Sequence, residues 1–451
     1  MSIWSIVTAI IMLGILVTIH ELGHFWVARL LNIKAYEVSI FVGPKLLDWR
    51  RNNVEYSIRA LPFGAYVRFN DFDENGNVLE SDDPQLLINS PRWKRLLVAL
   101  AGPFMNLLLG VVIFSILFCA TGYASLNIGA VREGSQLSAF LSEEQSPFEI
   151  GDTILEVNGH RVLSVYDYYY EIDRGVPSTE PVTLLMRSNS TGDKYQMVLT
   201  PEVFEAPMLG VTHYDGTDNK YNGWEIISVS EFQNNGNPVL KVGDYLIAID
   251  GISVADEGFE EMFRNYSDGD TMHLTYVRNG ETYESDCVKT FMKYTNDRGV
   301  VLFSYQVTDI STFLGAIKNA VFMPYSVITL SVKSIGEVFH GQEEVYNMVS
   351  GPIGMTTVVS DVVDDVDDSI KDKFISVVEI AGIITIGLTF TNLLPIPGLD
   401  GVQIILIIVE MIIGHELSKK SEGIITAVGY VLLIGLVIFA FASDIIRIIL
   451  E

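Results

Sequence analysis

Residues 20–24 read His20-Glu21-Leu22-Gly23-His24, two histidines four apart with a glutamate beside the first. On a helix, positions i and i+4 share a face, so both imidazoles can reach one metal ion. Zinc suits such a pair, because it lowers the pKa of a bound water to about 7. Glu21 is then placed to take a proton as that water attacks a carbonyl. A catalytic zinc wants three protein ligands and one open position. The best candidate for the third is Asp400, in Asn392-Leu-Leu-Pro-Ile-Pro-Gly-Leu-Asp-Gly401. Pro395 and Pro397 break the helix just before this carboxylate and free backbone groups, which a bilayer tolerates only around a protein- or water-lined cavity.

The elements that must position these groups are apolar. Of 451 residues, 49% are apolar, and mean hydropathy is +0.32 although the formal charge is -27. That conflict predicts a chain that is part bilayer and part solvated domain. Four stretches are long enough to cross, given that a span needs about 20 apolar residues. They are Ile3–Ile19, whose pattern runs on through the histidines to Leu31, then Leu96–Gly122, Ile380–Leu399 and Ile424–Ser443. The first lacks the basic start and small-residue cleavage site of a signal peptide. Ionisable groups inside a span are costly and normally functional, which argues against two histidines that merely pack. Val402–Ile413 is too short to span, contains Glu410, and reads as a short helix at the membrane surface or partly re-entrant. Ten Lys and Arg lie between Arg29 and Arg95, and Lys419-Lys420 lie before the last span. The positive-inside rule makes that side cytoplasmic and puts both termini and the segment from Tyr123 to Lys373 outside.

That outside segment holds 39 acidic and 16 basic residues, a net -23. Scarce, unclustered Lys and Arg argue against nucleic-acid binding. Two cysteines, Cys119 and Cys287, exclude a disulfide scaffold. Within the segment a pattern repeats: Gly151-Asp-Thr-Ile-Leu-Glu-Val-Asn-Gly159 and Gly243-Asp-Tyr-Leu-Ile-Ala-Ile-Asp-Gly251. Each is Gly-Asp, an alternating strand and a turn ending in Gly. Two copies in register resemble tandem bacterial PDZ domains, which bind peptides by strand addition or serve as spacers and sieves. Ile310–Phe339 has amphipathic helical spacing, and its apolar passage Val321–Val332 is short and followed by Lys333. It reads as a periplasmic helix rather than a fifth span.

The histidine motif in the first span, the Asn-Pro-Pro-Asp-Gly signature in a late span and PDZ domains between them resemble the site-2 protease family. Tandem PDZ domains on four spans are similar to its bacterial subgroup that governs the sigma-E envelope stress response. Further matches are Gly43-Pro44, Pro62-Phe-Gly-Ala-Tyr-Val67 and Ala101-Gly-Pro-Phe-Met-Asn106. The resemblance implies that His20, His24 and Asp400 bind zinc and that Glu21 is the general base. It implies that Asn392, Pro395 and Pro397 shape the substrate path. It also implies that Gly64, Ala65 and Tyr66 belong to a re-entrant β-loop receiving unwound substrate as an added strand. Two departures stand out: Ala65 where the family commonly has a second Gly, and Phe41-Val42 where it has Gly-Phe.

The expected fold is a multi-pass α-helical membrane protein with a membrane-associated β-loop and two periplasmic α+β PDZ domains. The expected layout is a first span over 1–31, the β-loop segment over 32–95 and a second span over 96–122. PDZ domains follow over 123–205 and 206–308, then helices over 309–373. The third span covers 374–401, an interfacial helix and loop 402–423, and the last span 424–451. The expected activity is intramembrane zinc proteolysis in the bacterial inner membrane, with the PDZ pair as size filter. The expected partners are the lipid bilayer and single-span membrane proteins already shortened outside, namely an anti-sigma factor and remnant signal peptides. The alternatives are an inactive PDZ-bearing scaffold and a metal transporter. The intact motif residues speak against the first, and the clustering of polar groups near one face speaks against the second.

Overall fold

Helix ends follow caps and prolines. The computed structural model describes residues 2–450 except 71–81, 133–134, 142–145, 173–180, 201–202, 215–220, 231–232, 235, 256–265, 268, 289, 296–299, 340–351, 365–368 and 397. Two compact units emerge: residues 1–125, 163–168 and 304–451 in one, and 126–162 and 169–303 in the other.

The first unit begins with α1 (Ile3–Leu30), β1 (Glu37–Arg51), β2 (Val54–Arg68) and α2 (Arg92–Thr121). Helix α1 starts on Ser2, whose side chain accepts the Ser5 N–H at 3.2 Å. Helix α2 follows Pro91, contains Pro103 and ends at Gly122, where φ is +88°. β1 and β2 form a small sheet with a folded-back register. Residues 37–40 pair in step with 55–58 on one side and in the opposite sense with 68–65 on the other. Residues 47–51 close a hairpin on 58–54. Residues 65–68 therefore form an outer strand. Positive backbone angles fall on Gly43 and Gly64 and on Asn52 and Asn53 in the hairpin turn. Ala65 is not among them, whereas Phe41 is held at φ +67°.

The chain next runs through β3 (Tyr123–Val131), α3 (Gln136–Leu141), β4 (Thr153–Val157), β5 (His160–Arg161), α4 (Val165–Ile172), β6 (Val182–Arg187) and β7 (Lys194–Leu199), of which residues 123–125 and 165–168 belong to the first unit and the rest to the second. Next come β8 (Val203–Met208), β9 (Val211–Tyr214), β10 (Trp224–Val229), β11 (Tyr245–Ile249) and β12 (Ile252–Ser253). Last are β13 (Thr271–Arg278), β14 (Glu281–Val288), β15 (Thr290–Thr295) and β16 (Val300–Tyr305). One sheet runs β14-β13-β11-β10-β9 with β12 beside β11, another runs β16-β3-β4-β6-β7 with β5 beside β4, and β8 pairs with β15 alone. The sequence repeat marks equivalent places: β4 and β11 end in Asn158-Gly159 and Asp250-Gly251, all at positive φ as a tight hairpin turn demands. The repeated aspartates are buried but held differently. Asp152 accepts from the Glu149 and Asn189 amides and the Tyr195 hydroxyl. Asp244 accepts from the Lys241 amide and twice from Arg278. The predicted boundary at 205/206 does not divide the sheets, since β16, which lies in the 206–308 segment, completes the first.

The first unit resumes with α5 (Ile310–Phe339), α6 (Pro352–Val363), α7 (Ile370–Leu393), α8 (Asp400–Ile413) and α9 (Lys419–Leu450). Among the described residues, five helices are long and apolar enough to cross a membrane: α1, α2, residues 310–336 of α5, α7 and residues 423–445 of α9. The addition to the expected four is α5, which continues through Pro324 and Lys333. Proline removes one backbone bond, but Ala320 and Met323 beside it are buried against Phe114, Leu117 and Ile386, and such packing carries most helical stability. Helix α7 approaches α2 closely at glycines: a Cβ on Gly110 would lie 2.5 Å from Ile386, and one on Gly382 would lie 2.8 Å from Phe114. The Thr385 and Thr389 hydroxyls donate to the Asn106 and Pro103 carbonyls at 3.4 and 3.2 Å. Helix α7 stops at Leu394, which is extended at ψ 147° because Pro395 disfavours the helical region for its predecessor.

Candidate metal centre

His20 and His24 lie one turn apart on α1, 6% and 8% exposed, with ring centroids 4.9 Å apart. His24 Nδ1 lies 2.7 Å from the Val98 carbonyl oxygen on α2. A carbonyl only accepts, so Nδ1 carries the proton and Nε2 is left with its lone pair. Asp400 arrives from the other end of the chain. The break after Leu394 lets the backbone turn before α8 begins at Asp400, and Gly401 makes the turn possible: a Cβ there would meet the Leu394 carbonyl oxygen at 2.2 Å.

Three atoms converge. His20 Nε2 and His24 Nε2 are 3.2 Å apart, and Asp400 Oδ2 lies 3.0 and 3.4 Å from them. Asp400 Oδ2 is buried yet accepts no well-angled hydrogen bond. A tetrahedral zinc with bonds of about 2.0–2.2 Å has ligand-to-ligand edges of about 3.3–3.6 Å. The observed edges lie within or up to 0.3 Å below that range, and among the described residues this is the one cluster of three or more His, Cys, Asp or Glu able to hold a metal. Gly102 on α2 faces the triangle. A Cβ there would lie 2.3 Å from His24 Nε2 and 2.6 Å from His20 Nε2. The donor set, its edges and a neighbour that leaves room all fit zinc.

Glu21 is half-buried beside the histidines, and its Oε2 accepts the Val67 N–H at 3.2 Å. That contact joins α1 to the outer strand 65–68. The strand is braced from behind by buried Glu37, which accepts from Arg59 at 2.9 Å, the Tyr66 hydroxyl at 2.8 Å and Ser57 at 3.2 Å. Arg68 Nε lies 3.4 Å from the same carboxylate. Of the residues expected to meet substrate, Gly64 and Ala65 thus stand at the outer strand, while the Tyr66 hydroxyl is engaged with Glu37. Asn392 lies in the last turn of α7. Pro395 ends that helix, and Pro397 lies outside the described residues.

Gly102 and Val98 were not legible as site residues. Glycine signals by what it lacks, and Val98 contributes a backbone atom. The Ala101–Asn106 run containing Gly102 stands out only as a family match, without a role.

The model of peptidase family M50 matches residues 8–436. A protein of Clostridium acetobutylicum named as a zinc metalloprotease is 36% identical over 198 residues, covering 44% of this chain and 55% of that protein. The chain thus spans about half the length of that relative. One of Neisseria meningitidis, also named as a zinc metalloprotease, is 28% identical over 96% of this chain and 97% of its own length. The regulator of sigma E protease of Haemophilus influenzae is 22% identical over 99% of both chains.

Proposed function

The chain belongs to peptidase family M50 and is a zinc metalloprotease, and from that premise we propose that it cuts single-span membrane proteins within the bilayer. In this reading His20, His24 and Asp400 hold the zinc and Glu21 is the general base. The carrying observation is the triangle of 3.0, 3.2 and 3.4 Å with Glu21 tied to the outer strand beside it. Zinc bound there supplies Lewis acidity, polarising a scissile carbonyl and acidifying a water.

The protein's own groups do the rest. A transmembrane helix hides its amides in its own bonds, so a substrate must unwind and its freed groups must be satisfied. The strand 65–68 offers the partner. The Arg68 carbonyl accepts from the Tyr36 N–H on the β1 side, whereas the Val67 N–H goes to Glu21. Strand groups alternate in direction, so the N–H and carbonyl of Ala65 face the same way as Val67, toward the open edge. A substrate strand paired at Ala65 would run beside Glu21. Asn392 would serve its other side. The Val67 bond holds the Glu21 carboxylate in place to take a proton from the attacking water.

In this reading α1, α2, α7 and α9 are the spans and α5 is a periplasmic-side helix packed on α2 and α7, an arrangement that fits the positive-inside pattern and would put the second unit in the periplasm of a bacterial inner membrane protein. Its two larger sheets act as PDZ modules that admit only substrates already shortened there. The name of the Haemophilus influenzae relative, and the sequence resemblance, favour an anti-sigma factor and remnant signal peptides as substrates.

The test is co-expression of a tagged single-span substrate lacking its periplasmic domain with wild type or Glu21→Gln. Cleavage by wild type alone is expected. Equal cleavage by both would sink the mechanism.

A further inference from the structure

The two histidines are held differently at the nitrogen that faces away from the triangle. His24 Nδ1 has a backbone carbonyl, which fixes its tautomer. His20 Nδ1 instead faces a side chain: Asn106 Nδ2 lies 3.2 Å away. Asn106 is 0% exposed, and its Oδ1 is buried without any hydrogen-bond partner. A histidine that ligates through Nε2 must carry its proton on Nδ1, and that N–H needs an acceptor. A half-turn of the Asn106 amide about its last torsion puts Oδ1 where Nδ2 stands, within reach of Nδ1. Amide nitrogen and oxygen occupy nearly the same volume, so the turn needs no repacking.

We infer that Asn106 is a positioning residue for the metal centre: its amide oxygen accepts from His20 Nδ1–H and so fixes the ligating tautomer and ring angle of His20. This rests on the assignment of His20 as a zinc ligand. Helix α2 then orients both histidines of α1, one through the Val98 carbonyl and one through Asn106. The Thr385 hydroxyl, donating to the Asn106 backbone carbonyl, ties the same residue to α7.

The experiment measures zinc affinity of the full-length protein in detergent by competition with a chromophoric chelator, together with the ligand-field spectrum of the cobalt(II)-loaded protein. Wild type is expected to bind one zinc. Asn106→Leu removes the acceptor and should weaken zinc by about 10- to 100-fold, as loss of such supporting bonds does. Asn106→Ser, too short to reach Nδ1, should do the same and serves if the leucine variant does not fold. Asn106→Asp keeps an acceptor at the same reach and should restore wild-type affinity and the cobalt spectrum. Wild-type affinity in the Leu and Ser variants would overturn the inference, as would an Asp variant as weak as Leu. A wild type that binds no zinc would overturn the metal-centre reading beneath it, and this inference with it.

Discussion

Gly102→Ala adds one methyl group at the place the proposed site can least accept it. The new Cβ would stand 2.3 Å from His24 Nε2 and 2.6 Å from His20 Nε2, whereas ordinary contact begins at 3.4 Å. To reach that distance the His24 ring must retreat by about 1.1 Å and the His20 ring by about 0.8 Å. Metal sites hold their ligand distances to about 0.2 Å. His24 cannot swing freely, because its Nδ1 is anchored at 2.7 Å on Val98 in the same helix that bears the new methyl. The expected result is loss of stoichiometric zinc and a fall in cleavage of at least about 100-fold, the scale of a 1 Å misplacement. The fold should survive, since alanine favours helix. The assay is elemental analysis of detergent-purified protein beside the single-span cleavage test. Gly387→Ala in α7 is the control, because a Cβ there meets nothing within 4 Å. A Gly102→Ala protein holding one zinc and cutting at the wild-type rate would refute the reasoning.

Three further outcomes are expected. Arg95→Ala leaves buried Glu410, which receives Arg95 at 3.2 Å and has Arg92 only at 3.9 Å, short of its best partner, and should cost about 1–3 kcal/mol, read as a lower melting temperature in detergent. Burial pushes the Cys287 thiol up to about 11, so its reactive thiolate is scarce at pH 8; in a Cys119→Ser background, maleimide should label it only in denaturant, and rapid native labelling would contradict the burial. Asp364 is held at about 2 by hydrogen bonds from Ser2 and Ser360. A lowered carboxylate pKa stabilises above the unfolded value of about 3.9 and the benefit is lost as pH falls toward about 2. Asp364→Asn should therefore melt lower than wild type at pH 7, with the gap closing below pH 3, and a gap independent of pH would count against it.

The proposed ligands were legible because their signal is local. His20 and His24 read as a pair from spacing alone, and Asp400 stood out as a carboxylate just past two helix-breaking prolines. Gly102 was not legible, since its contribution is an empty volume that only packing reveals. The packing of α5 was not legible, because its partners Phe114 and Ile386 lie far away in sequence. The repeated Gly-Asp pattern marked matching strands, β4 and β11, in two sheets. Their borders escaped, because an edge strand such as β16 carries no mark of which sheet it joins.

The placement of β16 has a consequence for how the chain is made. The first sheet needs residues 300–305 as its edge, yet the whole second sheet lies between them and β7 in sequence. During synthesis the module that starts first must finish last. Its core residues, Ile128, Ile154 and Leu184 among them, wait with one edge uncovered while the second module folds as an insert. The paired strands β8 and β15 mark where that insert leaves and rejoins. Excising the insert at this neck removes one module and leaves the other with every strand it needs, whereas cutting the chain after residue 205 removes β16 and spoils the module that such a cut would aim to isolate.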